Sequence, residues 1–392
     1  MSLADNLPVS WKSVPIFNVA PIVSQLVDPT IAPFDAMILI APDHVESGTG
    51  RLIKRATARE QNAISGKYLV QKGDVIYSKI RPYLRKVIVA KETCLCSADM
   101  YPLHCSKFID PEFLKLVLLG ARFAFYANSC SARTGIPKLN RNDMGAFHVP
   151  LPPIDEQKAI ADLLSTWDEA IEKTERLIQA KEKRFQHLSS QLINDACYPR
   201  SHIREFATEC TARNRDRHCD RVLSVTNTNG FILPEHQFKR RVASSDLSNY
   251  KLVRRGQYAY NPSRINVGSI ARLDDWDEGV LSPMYVVFDL DDSKVGSDFF
   301  LHWLSTHEAK QRIKNSTQGS VRETVSFNDL ASILFPLPSI ERQAEVAALL
   351  NCVVHEIELL RKLAEKYKTQ KRGLMQKLLT GQWRVKLDRE VA

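Results

Sequence analysis

Apolar residues recur at alternating steps of four and three along two long stretches of the chain. The first set falls at 160, 164, 167, 171, 174, 178, 181, 185, 188 and 192 and reads Ile160, Leu164, Trp167, Ile171, Thr174, Ile178, Lys181, Phe185, Leu188 and Leu192. The second lies 186 positions later and reads Val346, Leu350, Val353, Ile357, Leu360, Ala364, Tyr367, Lys371, Leu374 and Leu378. A 3.5-residue period held over more than four heptads predicts a coiled-coil seam, because a lone helix on a globular core drifts toward 3.6. Thr174, Lys181 and Lys371 are the polar interruptions. Each helix of about 40 residues would be roughly 60 Å long.

Both helices open on the same phrase, VPLPPIDEQ at 149–157 and FPLPSIERQ at 335–343. Two leucine-rich helices can look alike by composition. Composition does not place Pro-Leu-Pro-x-Ile-x-x-Gln before both, in register and without a gap. The prolines, which need no amide partner in a first turn, are expected to start the helices at Pro150 and Pro336. Ser339 is the expected N-cap of the second. Upstream, YLVQKGDVIYS (68–78) pairs with KLVRRGQYAYN (251–261), SADMYPL (97–103) with SPMYVVF (282–288), and NSCSARTGIPKLNRNDM (128–144) with NSTQGSVRETVSFNDL (315–330). The chain is therefore a duplicated unit. Four segments are expected: a globular domain at 1–150, a long helix at 151–199, a second globular domain at 200–336, and a second helix with a tail at 337–392. A compact domain brings its ends together, so the helices should run antiparallel. The expected fold class is α+β: two α/β domains in tandem repeat, separated by two long helices in an antiparallel coiled coil, with pseudo-two-fold symmetry.

Within the globular segments, 74–80, 86–90, 258–261 and 285–290 read as strands, and 111–119 and 298–313 as helices. Between them run polar, basic loops, which is what base reading requires. Arg bonds guanine at two points, Asn and Gln do the same for adenine, and lysines settle on phosphates. The candidates are Lys79, Arg81, Arg85, Lys86, Arg133, Thr134 and Lys138 in the first copy. In the second they are Arg240, Arg241, Asn261, Ser263, Arg264, Gln318 and Arg322. A single basic loop is more often only a solvated surface. Two of these recur at equivalent places, KIRPY with PSRIN and SARTG with QGSVR, while Arg51–Arg59 has no counterpart. The arginines between 213 and 221 alternate with Asp216 and Asp220, so self-pairing competes with a DNA role there.

Charge sharpens this. The net charge of +9 suits a polyanion partner. The first 150 residues hold 18 Lys/Arg against 12 Asp/Glu, and 151–199 hold 6 against 9. The eight cysteines show no CxxC pair, so they are read as free thiols of a reducing cytoplasm. No apolar run reaches the ~20 residues of a membrane span. The opening MSLADNLPVSWKS lacks a secretory pattern. There is no GxxxxGK[ST] loop, no GxSxG elbow and no glycine-rich cofactor turn. Asn261-Pro262-Ser263 lacks the second proline and the aromatic of an amino-methyltransferase loop. A binding protein without its own catalytic site, cofactor or metal is expected. Two rivals are a single-chain modification or restriction enzyme and a coiled-coil scaffold with no nucleic-acid role.

The paired motifs Pro150-Leu151-Pro152-Pro153-Ile154-Asp155-Glu156-Gln157 and Pro336-Leu337-Pro338-Ser339-Ile340-Glu341-Arg342-Gln343 resemble the DNA specificity subunit of type I restriction-modification systems. So do the opening Leu7-Pro8-Val9-Ser10-Trp11, the stretch GDVIYSKIRPYLRK and the stretch TGIPKLNRNDM. Arg342 departs from the family's acidic residue, and SVRETVSFN is a degraded second copy. The resemblance implies that 1–150 and 200–336 are target recognition domains, each reading half of a divided site in duplex DNA. The helices would set the gap between halves. The chain would hold two methyltransferase (modification) subunits that methylate adenine N6 with S-adenosylmethionine. Those would dock restriction subunits that use ATP and Mg for translocation and cleavage.

Overall fold

The computed structural model describes residues 7–131, 137–233, 246–316 and 324–386. It forms two compact units, one of 1–174 with 363–392 and one of 175–362. Each long helix contributes residues to both units.

In the first unit the strands are β1 (Lys12–Pro15), β2 (Leu26–Val27), β3 (Leu39–Ile40), β4 (Lys67–Val70), β5 (Val75–Ser78), β6 (Val87–Val89), β7 (Cys94–Cys96), β8 (Met100–Leu103) and β9 (His148–Leu151). The helices are α1 (Ile16–Val19), α2 (Pro111–Leu119), α3 (Ala121–Ser131), α4 (Arg141–Ala146) and the long α5 (Ile154–Ile193). The order β6-β5-β8 is antiparallel, with Tyr77 opposite both Val87 and Tyr101. A second sheet runs β2-β4-β7-β3, and β1 pairs with β9. All four residues of β5 are buried, as expected for a central strand of Val, Ile and Tyr. Asp110 caps α2 by accepting the Phe113 amide at 2.9 Å.

The second unit repeats this plan. Its strands are β10 (Arg200–His202), β11 (Ala207–Glu209), β12 (Ser224–Thr226), β13 (Gly230–Ile232), β14 (Lys251–Arg254), β15 (Tyr258–Tyr260), β16 (Ile270–Arg272), β17 (Glu278–Leu281), β18 (Val286–Leu290) and β19 (Leu334–Pro336). Its helices are α6 (Ser297–Ser305), α7 (His307–Asn315), α8 (Phe327–Ala331) and the long α9 (Ile340–Leu378). The order β16-β15-β18 reproduces β6-β5-β8, and β14-β17 reproduces β4-β7. The turn before the central strand uses a glycine at positive φ in both copies, Gly73 at 94° and Gly256 at 86°, a conformation glycine adopts without steric cost. The second core is aromatic: Phe206, Tyr258, Phe288, Phe300, Trp303 and Phe335 meet edge-on or tilted around Phe300 and Phe335.

Two expectations are corrected. The helix expected over 298–313 is two helices, because Thr306 takes extended backbone and its hydroxyl accepts the Ala309 amide, starting a new helix. The prolines Pro150 and Pro336 do not start the long helices; they lie in β9 and β19. The helices begin at Ile154 and Ile340, after Pro153 and Ser339, whose carbonyls accept the Gln157 and Gln343 amides. Ser339 does cap, its hydroxyl accepting the Arg342 amide at 3.3 Å.

Every heptad position anticipated from the sequence is buried or half-buried. The long helices pair antiparallel within each unit. In the first, Trp167 meets Tyr367 edge-on at 5.8 Å and Lys371 bonds Asp168 at 2.5 Å. In the second, Lys181 bonds Glu356 at 2.7 Å and Arg361 bonds Glu182 at 2.5 Å. The lysines that interrupt the apolar stripe thus make interhelical ion pairs. Toward the helix ends the seam enters the domain cores, with Ile160, Leu164 and Leu378 in the first and Leu192, Val346 and Leu350 in the second.

Gln157 and Gln343 fasten helix to domain by one geometry. The Gln157 side chain is fully buried. Its Oε1 accepts the Asp110 amide at 2.9 Å, and its Nε2 donates to the carbonyls of Phe108 and Pro152. Gln343 Oε1 accepts the Gly296 amide at 2.8 Å, and its Nε2 donates to Lys294 and Pro338. All three partners are displaced by the same 186 positions as the glutamines.

Candidate nucleic-acid interface

The candidate loops gather where the turn after the central strand meets the segment before α4 or α8. In the first copy the backbone of Lys79–Arg81 is bonded to 137–139: the Arg81 amide donates to Pro137 at 2.7 Å and the Leu139 amide to Lys79 at 2.9 Å. Ile80 and Lys138 form an isolated antiparallel bridge. KIRPY and PKLN, read separately in the sequence, are thus one surface. The Tyr101 hydroxyl holds the Leu139 carbonyl from beneath.

Two residues of this turn stand in the left-handed region without being glycine, Arg81 at φ 49° and Arg85 at φ 47°, flanking a short 3-10 turn over Pro82–Leu84. Such residues cost about 1–3 kcal/mol each and persist where the surroundings enforce them. Here the Gly48 amide bonds the Arg85 carbonyl, and the Lys86 ammonium donates to Pro42 at 2.6 Å. The Lys79 ammonium donates to the Ala98 carbonyl and stands 5.4 Å from the Tyr101 ring. The expected residues therefore divide. Lys79 and Lys86 are spent on carbonyls, while Arg81, Arg85 and Lys138 are exposed and, among the described residues, have no carboxylate partner. Burial lowers the Lys79 pKa, and the charges of Lys138 and Arg141 lower it further. The Asp99 carboxylate opposes that effect.

The second copy repeats the frame. The Val325 amide donates to Pro262 at 3.1 Å, matching Leu139 and Lys79, and the Tyr260 hydroxyl bonds the Val325 carbonyl as Tyr101 does for Leu139. The Asn261 side chain accepts the Ser263 amide at 3.1 Å, closing a turn. Ser263 and Arg264 are exposed, and Arg264 has no carboxylate partner among the described residues. Arg133, Thr134, Arg240, Arg241, Gln318 and Arg322 lie outside the described residues.

In the other basic stretches most arginines are bonded to groups elsewhere in the domain, and none between 213 and 221 pairs with Asp216 or Asp220 among the described residues. Arg51, Arg55 and Arg59 bond Glu46, Glu92 and Asp35. Arg213 donates to Asn249, Arg217 pairs with Asp246, and Arg221 donates to the Glu278 carbonyl. The acidic residues Asp274 and Asp277 meet Arg272 and Arg255. Among the described residues no group of His, Cys, Asp and Glu could hold a metal. Burial pushes the thiols of Cys94 and Cys105 up to about 12, leaving them as thiols. No helix among the described residues is long and apolar enough to cross a membrane. Sequence inspection missed Tyr83, which is 54% exposed between the two left-handed arginines. Its neighbours Pro82 and Leu84 are buried and half-buried, so nothing in the letters alone distinguished it from a core aromatic.

The profile of the type I restriction modification DNA specificity domain matches residues 46–182. The EcoDI type I restriction enzyme specificity subunit of Escherichia coli is 31% identical over 246 residues, 63% of this chain and 52% of that protein. The chain thus matches about half the length of that relative. The putative MjaX type I specificity subunit of Methanocaldococcus jannaschii is 24% identical over 350 residues, 82% of this chain and 80% of that protein. Among solved structures, one from work on assembly and conformational transition of the type I R-M system superposes with a TM-score of 0.63 at 16% identity. It covers 96% of this chain and 99% of that one. A type I S subunit from M. genitalium superposes at 0.57 and 14% identity, covering 96% and 98%. At such identities the likeness is one of fold, and it agrees with the α+β architecture and long helices.

Proposed function

We propose, on the premise that the chain is a relative of type I restriction specificity subunits, that it is the non-catalytic subunit reading a divided sequence in duplex DNA. Each globular domain reads one half-site. The paired helices set the gap between halves, and the chain holds two modification subunits and, through them, restriction subunits. Adenine methylation with S-adenosylmethionine and ATP- and Mg-dependent cleavage would then belong to those partners.

The observation that carries this is the duplicated loop frame. Leu139–Lys79 and Val325–Pro262 hold the same backbone bond, yet the side chains presented differ: Arg81 and Arg85 in one, Ser263 and Arg264 in the other. A common scaffold with unlike exposed loops is what two heads for two sequences require. Free cations at both frames supply phosphate contacts.

Methylome sequencing of a host carrying this chain with its cognate modification subunit should show one divided motif. Deleting a heptad from each helix, residues 172–178 and 358–364, removes about 10 Å from each helix. That is about three base pairs at 3.4 Å each. The variant should shorten the gap and keep both half-sites. Altered half-sites with an unchanged gap would refute the assignment. Methyl transfer by the purified chain alone would favour a single-chain enzyme instead.

A further inference from the structure

We infer that Tyr83 is a specificity-determining residue of the first domain, its ring laid against a base while Arg81 and Arg85 hold the flanking phosphates. This rests on the half-site reading proposed above.

The turn that carries Tyr83 is held on both sides. The Leu84 amide donates to Arg81 and the Arg85 amide to Pro82, both at 2.9 Å, while Arg81 is tied to Pro137 and Arg85 to Gly48. Pro82 is buried beneath it. The tip is therefore preorganised, and the three side chains that leave it outward are Arg81, Tyr83 and Arg85. Among the described residues the Tyr83 hydroxyl has no hydrogen-bond partner. A large aromatic, 54% exposed on a polar turn, gains nothing from the core of its own domain.

Comparison of the copies points the same way. At the offset of 183 residues that aligns the central strands, Arg81 meets Arg264, Tyr83 meets Asn266 and Arg85 meets Gly268. Gly268 takes positive φ, 95°, at no steric cost. The first copy keeps the left-handed backbone but places an arginine there, accepting strain to gain a guanidinium. At the middle position both copies expose a residue able to read a base, Tyr83 or Asn266. Asn bonds adenine at two points, and a tyrosine ring packs against a thymine methyl in the major groove. In the first copy the flanking residues are cationic and the middle one is uncharged, which separates phosphate contact from base contact along one turn.

The two roles differ in salt dependence. Each phosphate contact contributes about −0.9 to the slope of log affinity against log salt, and an uncharged base contact contributes nothing. The test is selection from a randomised duplex library by the full chain in complex with its modification subunit, followed by salt titration. Tyr83→Ala and Tyr83→Gln should each lose preference at one position of one half-site. Their affinity should fall on the order of tenfold, with an unchanged slope. Tyr83→Phe should keep the preference. The double variant Arg81→Gln, Arg85→Gln should weaken all sequences alike and lower the slope magnitude by about 1.8. If both Tyr83→Ala and Tyr83→Gln select the wild-type consensus with wild-type affinity, the inference fails and the half-site reading stands. Uniform weakening with a reduced slope in those variants also overturns it. A wild-type complex that selects no divided sequence overturns the half-site reading and this inference together.

Discussion

Replacing Gln157 with alanine should destabilise the first unit far more than a surface change, and the size follows from its three bonds. The side chain is fully buried and satisfies one amide, Asp110, and two carbonyls, Phe108 and Pro152, at 2.9 to 3.0 Å. Truncation leaves three backbone groups without partners, at about 1–3 kcal/mol each where water cannot enter. Even at the low end of that range the loss is about 3 kcal/mol. For a body of about 200 residues each kcal/mol lowers the melting midpoint by about 2–4 °C, so a fall of at least about 6 °C is expected. Scanning calorimetry of the full chain, fitted to two transitions, should place the loss in one of them. Gln343→Ala should produce a shift of similar size in the other, since it holds Gly296, Lys294 and Pro338 by the same three bonds. Gln157→Glu should not rescue, because a carboxylate can accept from Asp110 but has nothing to donate to the carbonyls. A shift under about 2 °C for Gln157→Ala would show that the clasp contributes little, and the reasoning from buried unpaired groups would be wrong here.

Asp168→Asn should cost about 1–3 kcal/mol, because it leaves the Lys371 ammonium, on a residue only 9% exposed, facing a neutral amide. Lys371→Leu should fall within about 1 kcal/mol of wild type, since an apolar residue suits a seam position that is Phe185 in the other copy. Urea titration at matched salt measures both, and equal losses for the two would contradict the account. His302 packs against Phe185 and bonds Asn351, with Asp298 and Arg272 in the same network. Burial holds its pKa below the ordinary 6.5, so the unfolded chain binds the proton more readily. Stability of the second unit should then be full above pH 6.5 and decline as pH falls through 6.5 toward the folded value. His302→Gln should flatten that decline, and melts between pH 7.5 and 5 that keep the same slope would discount the histidine.

The long helices were legible because a 3.5 period over forty residues has few other physical causes, and the central strand because Val75-Ile76-Tyr77 is a run of β-branched and aromatic residues. Sheet order was not legible. Which strand lies beside β5 depends on residues up to 28 positions away, such as Leu103 opposite Val75. The break at Thr306 was hidden because Ser-Thr within an apolar pattern can continue a helix or cap a new one. The site was half legible. Basic loops announced themselves, but Arg51, Arg55 and Arg59 look as available in the letters as Arg81 and Arg85. What separates them is a set of carboxylates at Glu46, Glu92 and Asp35, remote for two of the three, that only the fold delivers.

The one reversal of charge at the helix starts, Arg342 where the first copy has Glu156, has its own physical cause. In the first unit two segments far apart in sequence, 7–12 and 379–386, must be joined by side chains. Glu156, 1% exposed, does so: it accepts the Trp11 indole N–H at 3.1 Å and the Arg384 guanidinium at 2.8 Å. Arg384 Nη2 also reaches the Ser10 hydroxyl at 3.2 Å, and the bend at Gly381 is at φ 73°. In the second unit the corresponding junction is continuous chain, from Ile193 at the end of α5 to Arg200 at the start of β10. A peptide bond needs no carboxylate to replace it, so the position can carry Arg342, which instead donates to the Tyr198 hydroxyl at 3.1 Å. The glutamine one residue later is retained in both copies because its task, tying the helix to Asp110 or Gly296, is the same in both. Sequence likeness between the copies therefore follows shared mechanical demand. It is kept where each helix must be fastened to its domain, relaxed where chain continuity makes fastening redundant, and lost at the exposed tips where each copy presents different chemistry.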